Sequence, residues 1–190
     1  MHNLILKMET TLKGTVHYEV KDTVAVLTVD NPPVNPLSDG VRAGLFDGIA
    51  KAEADSNVVG VVVTGKGRAF IAGADISEFG GEGDGHGLHT VFKNLEFCSK
   101  PVVAAINGLA LGGGLETALC CNYRIASNNA IVGLPEVNLG LLPGAGGTQR
   151  LPRLIGPSQA LKMMLAGTPI SAKKALQQGV IDAISENSLI

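Results

Sequence analysis

Glu116 and Glu136 are the residues of this 190-residue chain with the most chemistry to offer. Glu136 follows Pro135 in GLPEVNLG, between apolar neighbours. A carboxylate in an apolar pocket has its pKa raised toward neutrality, as general acid–base work requires. Read in isolation, the same position suits an exposed loop glutamate. Glu116 stands in ALGGGLET, directly after Gly112, Gly113, Gly114 and Leu115. Glycine loses more backbone freedom on folding than any other residue, so three in a row need a reason. A helix starting there would present unpaired N–H groups and partial positive charge, with room for a ligand atom against the backbone. Such an end can hold a negative oxygen. The stretch also reads as a tight turn, with Glu116 a first-turn acid favoured by the helix dipole.

A third stretch, FIAGADISEF, places the small residues Ala72, Gly73 and Ala74 after a short strand, and Asp75 reads as a cap for a following helix. Other chemistries fit poorly. Gly112 and Gly114 supply the G-x-G of a dinucleotide fingerprint, but Thr117 stands where the third glycine belongs and Glu116 would repel a pyrophosphate. Neither a Walker A loop nor a G-x-S-x-G elbow occurs. His86 and His89 read as solvated loop residues rather than a metal pair, so no metal is expected. Cys98, Cys120 and Cys121 lack disulfide or zinc spacing and read as small apolar residues in reduced surroundings.

The elements that must position these residues alternate between strand and helix. TVHYEV and VAVLTV flank KDT as a hairpin. NPPVNP is an extended irregular link, and Ser38 or Asp39 caps a helix running to about Ala54, with Leu45, Phe46 and Ile49 as its apolar stripe. VVGVVVTG and KPVVAAING are continuous apolar runs suited to strands buried on both faces. The glycine-rich run 80–87 is a flexible loop before a helix from Leu88 to Cys98. GGGLETALCC turns into a helix, YRIAS and AIVGL are short strands, and LLPGAGGTQRLPRLIG is a loop leading into a helix. SQALKMMLAG and SAKKALQQG are helical, and VIDAI is a final strand. The class is α/β, and the pattern leaves a doubly wound sheet and a stacked or spiral one both open.

Composition narrows the partners. A hydrophobic fraction of 45% is enough for a sizeable core in a single domain over 1–190. The net charge of −2 and the lack of a basic run argue against nucleic acid. No apolar run reaches the ~18 residues of a membrane span. The start lacks a good secretory signal and NSLI is not a peroxisomal tripeptide, so a cytoplasmic protein is expected.

Taken together, AGAD at 72–75, NGLALGGGLE at 107–116 and GLPEVNLGLLPGAGGTQRLPRLIG at 133–156 resemble the enoyl-CoA hydratase/isomerase (crotonase) family. NPPVNPLS at 31–38 fits the family's early segment, with Pro36 where alanine is commoner. The resemblance runs from about Thr15 to Ile184. NPPVN and GGGLE look most like the hydratase/isomerase part of multifunctional fatty-acid oxidation enzymes.

The resemblance implies a ClpP/crotonase-type core, a spiral of ββα units. It implies hydration of 2-trans-enoyl-CoA in β-oxidation, with 3-enoyl to 2-enoyl isomerisation as an alternative. Backbone N–H groups of Ala72 and Gly113 would hold the thioester oxygen, and Glu116 and Glu136 would form the acid–base pair. Contacts to coenzyme A would come from Ala72 to Ile76 (Ala72, Gly73, Ala74, Asp75, Ile76) and from Gly112, Gly113, Val34 and Asn35. The CoA thioester is the substrate, and no tightly bound cofactor is implied. Family members assemble as homotrimers or dimers of trimers, and multifunctional ones continue into a 3-hydroxyacyl-CoA dehydrogenase; if the chain is part of a eukaryotic multifunctional enzyme, a peroxisomal location is implied. Residues 1–14 read as an N-terminal extension. Residues 185–190 read as a truncated end at which the family's C-terminal helices, which cover the acyl pocket, are absent. An inactive acyl-CoA-binding or assembly module is the rival reading from another class.

Overall fold

The computed structural model describes residues 12–75, 86–187 and 189. Ten strands and six helices alternate along them, as the sequence pattern requires. The hairpin is formed by β1 (Thr15–Lys21) and β2 (Val24–Asp30), antiparallel from Thr15 opposite Asp30 to Lys21 opposite Val24. In β2, Ala25, Leu27 and Val29 are fully buried while their neighbours are half-buried, the period-two signature of a strand facing a core.

Helix α1 (Asp39–Ala54) follows, buried through Leu45 and Ile49, with Phe46 half-buried. Ser38 occupies its N-cap position but does not cap it. The Ser38 hydroxyl donates to Lys13 O and accepts from the Asn31 amide instead. The chain before β1 is therefore docked: Gly40 N also donates to Lys13 O at 3.1 Å.

Strand β3 (Gly60–Gly65) leads to the short β4 (Ala69–Ile71). Helix α2 (Leu88–Glu96) ends two residues earlier than the apolar pattern suggested. After β5 (Val102–Ile106) comes β6 (Leu109–Leu111), a three-residue strand hidden in the approach to the glycine run. Then follow α3 (Gly113–Cys120), β7 (Tyr123–Ser127) and β8 (Ile131–Gly133). A 3-10 turn spans Glu136–Leu139. The rest is α4 (Gly147–Ile155), α5 (Pro157–Ala166), the two-residue β9 (Ile170–Ser171), α6 (Ala172–Gln177) and β10 (Ala183–Ser185). The final strand thus begins at Ala183, because Val180 and Ile181 are buried in the turn that precedes it.

Two sheets result. The larger has the order β1-β2-β3-β5-β7-β10 and is parallel from β2 onward. The smaller runs β4-β6-β8-β9, and its β6–β8 ladder is parallel, pairing Leu109 with Ile131, Ala110 with Val132 and Leu111 with Gly133. Successive strands alternate between the two sheets, β3 to β4, β5 to β6 and β7 to β8, which makes the chain a spiral rather than one doubly wound sheet. One hydrophobic core runs from Ala25 to Ile181.

The free thiols of Cys120 and Cys121 belong to that core. Burial pushes both up, that of Cys121 to about 12, so they are protonated packing residues. His86 is no simple solvated loop residue: its ring stacks on Phe46 with centroids 3.8 Å apart, and its carbonyl accepts from Arg42 Nε. Most of the glycine-rich loop expected at 80–87 lies outside the described residues.

Candidate active site

The carboxyl ends of β4, β6 and β8 converge on a cavity of about 490 Å³. Gly112, with φ +52°, turns the chain from β6 into α3, and its N–H donates to Gly133 O at 2.9 Å. Helix α3 is buried along its whole length. Its glycines let it approach β4: a Cβ on Gly114 would collide with Ile71 O. Gly113, the first helical residue, keeps an N–H with no intrahelical acceptor and faces the cavity.

The opposite wall is Ala72, Gly73 and Ala74. It is held by the NPPVNP segment. Leu37 N donates to Gly73 O at 2.9 Å, and Leu37 forms a bridge with Ala74. Asn35, at φ +55°, gives its amide to Lys66 O, Ala69 O and Phe70 O and accepts from Asn31 N.

These bonds correct three expectations. Ala72 is not a free oxyanion donor, because its N–H is engaged by Val34 O at 3.1 Å. Two residues on, Ala74 N has no acceptor among the described residues, and a Cβ on Gly113 would lie 3.5 Å from it. Val34 and Asn35 do not line the cavity; they brace its wall, and Asn35 is 2% exposed with its amide fully engaged. Asp75 lies outside the cavity lining too, with its carboxylate in an ion pair with Lys13 at 2.6 Å, and the residues it would cap fall outside the described ones. Ile76 lies outside the described residues.

Both glutamates line the cavity. Glu116 is 3% exposed, and its Oε1 accepts from Ala145 N at 2.9 Å and Gly147 N at 2.7 Å. Burial pushes its carboxyl above the usual range, while those two N–H groups, Arg150 and His89 pull it back. Glu136 begins the 3-10 turn beside Gly112: a Cβ on Gly112 would stand 3.3 Å from Glu136 Oε1. Its Oε2 is buried with no partner among the described residues. Burial raises the Glu136 carboxyl and the charge of Glu116 raises it further, against a bond to its own backbone N–H. The charge of Glu116 thus disfavours ionisation of Glu136. Leu88, Leu111, Leu139, Leu141 and Leu142 make the remaining walls apolar.

Sequence reading missed the donors Ala145 and Gly147. Their stretch, PGAGGTQR, repeats the glycine-then-helix pattern of ALGGGLET, and that repetition was the available signal. No group of three metal-ligating side chains occurs among the described residues.

This architecture recurs in solved structures. An enoyl-CoA hydratase from Geobacillus kaustophilus superposes with a TM-score of 0.82 at 38% identity, over 92% of this chain and 70% of that one. One from Bacillus anthracis gives 0.83 at 35% identity, over 90% and 70%. The fold is thus of the crotonase type. The family model described as Enoyl-CoA hydratase/isomerase matches residues 19–189, and the chain belongs to that family. Its curated relatives include a peroxisomal bifunctional enzyme of Danio rerio, 50% identical over 89% of this chain and 24% of that protein. A probable enoyl-CoA hydratase of Bacillus subtilis is 46% identical over 88% of this chain and 68% of that one. The chain thus spans about a quarter of the length of its multifunctional relative and about two thirds of that of the single-function one.

Proposed function

We propose that the chain is an enoyl-CoA hydratase of β-oxidation, adding water across the double bond of a 2-trans-enoyl-CoA to give the 3-hydroxyacyl-CoA. The observation that carries this reading is the juxtaposition of Glu116 and Glu136 in an apolar cavity bounded by the free N–H groups of Ala74 and Gly113. The thioester oxygen lies between those two donors. As water attacks, the thioester becomes enolate-like and negative charge grows on that oxygen. Fixed donors in a dry site stabilise this charge, and loss of one typically costs ~2.7–4 kcal/mol.

Glu116, whose carboxyl is raised by burial and only partly drawn back by two N–H groups and Arg150, takes a proton from the water as its oxygen bonds to C3. Glu136, held toward its neutral form by burial and by Glu116, delivers a proton to C2. One proton leaves the water, one reaches the α-carbon, and the pair as a whole is unchanged. No tightly bound cofactor enters; coenzyme A arrives with the substrate along the Ala72–Gly73–Ala74 wall. The unpartnered Oε2 of Glu136 also supports a second activity, 3-enoyl to 2-enoyl isomerisation, in which that carboxyl carries a proton between C4 and C2.

Exposed Leu139, Leu142, Leu161 and Leu165 support assembly as a homotrimer or a pair of trimers, since exposed apolar patches mark contact surfaces. The bifunctional and multifunctional relatives support a second activity in a longer form, which we read as a 3-hydroxyacyl-CoA dehydrogenase, and a peroxisomal setting, with the cytoplasm as the alternative. Among the described residues no helix is long and apolar enough to cross a membrane.

The test is hydration of crotonyl-CoA, followed as loss of enoyl absorbance by the purified chain. Acyl-CoA binding with neither hydration nor isomerisation would sink the enzymatic reading and leave an acyl-CoA-binding module.

A further inference from the structure

Arg150 lies in the first turn of α4, outside the cavity lining. Every nitrogen of its guanidinium is engaged. Nε and Nη2 donate to Glu96 Oε1 and Oε2 at 3.2 and 2.7 Å, and Nη1 donates to Ala145 O at 3.0 Å. The Ala145 carbonyl belongs to the peptide joining Ala145 to Gly146. That peptide sits between the two whose N–H groups, on Ala145 and Gly147, converge on Glu116 Oε1. Fixing the middle plane fixes the torsions that aim the donors on either side. Gly146 accommodates this: its φ is +105°, and a Cβ there would collide with Arg150 Nη1. A planar fork suits the task, because it grips a carboxylate with two nitrogens while the third reaches a carbonyl.

We infer that Arg150, anchored by Glu96, is a positioning residue that aims Glu116 at the cavity through the Ala145–Gly147 backbone. The inference rests on the reaction proposed above for its kinetic consequence, but not for its electrostatic one. The charged and titratable groups acting on Glu116 are Arg150 from α4, Glu136 from the 3-10 turn, His89 from α2 and Cys120 from its own helix, with Glu96 behind Arg150. Arg150 is the permanent cation among them. Its removal takes away positive charge and loosens two N–H donors, and both effects favour the protonated carboxyl. Glu96 is the last residue of α2 and cavity-lining Leu88 is the first, so the same ion pair ties that wall to the Glu116 support.

The test compares the unaltered chain with Arg150→Lys and Arg150→Gln, with folding checked by circular dichroism. Two readouts are taken: kcat and KM for crotonyl-CoA hydration, and the titration midpoint of Glu116 from carboxyl-13C-glutamate NMR, assigned with Glu116→Gln. Arg150→Lys keeps the charge but not the fork. Its kcat is expected to fall about ten- to a hundredfold, the value of a charge-assisted hydrogen bond, with KM little changed. Arg150→Gln is expected to move the Glu116 midpoint upward. An unchanged kcat in Arg150→Lys, or an unmoved midpoint in Arg150→Gln, overturns the inference. Should Arg150→Gln fail to fold, the midpoint is read in Arg150→Lys, where a smaller upward shift is expected and none overturns it. A rise in the midpoint of Arg150→Lys, which keeps the charge, in a chain that hydrates nothing supports the positioning role and sinks the hydratase reading alone.

Discussion

Gly147 donates its N–H to Glu116 Oε1 at 2.7 Å, and a Cβ on Gly147 would lie 3.0 Å from that same oxygen. The carboxylate rests against bare backbone. The same Cβ would meet Pro143 Cβ at 3.0 Å and Leu134 Cδ1 at 3.1 Å, so no side gives way freely. Gly147→Ala is expected to lose about 1–3 kcal/mol of stability by overpacking. It should lose hydration by up to about a hundredfold through displacement of Glu116. Urea denaturation and the crotonyl-CoA assay measure the two.

Removing either carboxyl of the proposed acid–base pair should separate chemistry from binding. Glu116→Gln and Glu136→Gln are each expected to lower kcat by about 10²–10⁴-fold, the usual worth of a positioned acid or base. Binding of a saturated acyl-CoA, measured by calorimetry, should persist in both. If Glu136→Gln hydrates at the original rate, the paired mechanism is wrong.

Glu136 should also set a pH dependence of stability. Its carboxyl is raised in the folded chain by burial and by Glu116. A group raised on folding stabilises fully below its unfolded pKa, and that contribution is lost as pH rises through the folded value. Glu136→Gln removes the titration. The variant should therefore melt higher than the original chain at neutral pH, and the difference should shrink as pH falls below the ordinary carboxylate range. Thermal melts across pH test this; a constant difference contradicts it.

Asn35 braces the Ala72–Ala74 wall through three backbone carbonyls and stands at positive φ. Asn35→Ala should lose about 1–3 kcal/mol from the unpaired carbonyls, plus about 1–2 kcal/mol of backbone strain. Asn35→Gly removes the bonds without the strain, so it should sit between the two in chemical denaturation. Equal stability of alanine and glycine variants would show that the strain does not matter.

Much of this was legible in the residues. The strands VAVLTV and VVGVVVTG announce themselves because burial on one or both faces dictates their apolar pattern. The 16-residue α1 does so because it is long enough for its stripe to repeat. The short strands β6 and β9, of three and two residues, carry no period to read and exist only because a neighbouring strand pairs with them. Glu116 and Glu136 stood out by type and context. Ala74 in place of Ala72 did not, because residue type says nothing about which N–H is already engaged. That is settled by Val34, 38 positions upstream of Ala72, whose carbonyl takes the nearer donor. Asn35 looked like a ligand contact for the same reason: a polar side chain beside a site can face the ligand or the backbone, and only the fold decides.

The β6–β8 ladder has a further implication. Leu111 pairs with Gly133, and the two carboxylates follow a few residues beyond those partners, Glu116 on one strand's extension and Glu136 on the other's. Side chains alternate along a strand, so sliding β8 by one residue would turn the fully buried Val132 out of the core. The register that brings both carboxyls to one cavity is thus locked by the packing of β8, and not by the loop that carries Glu136.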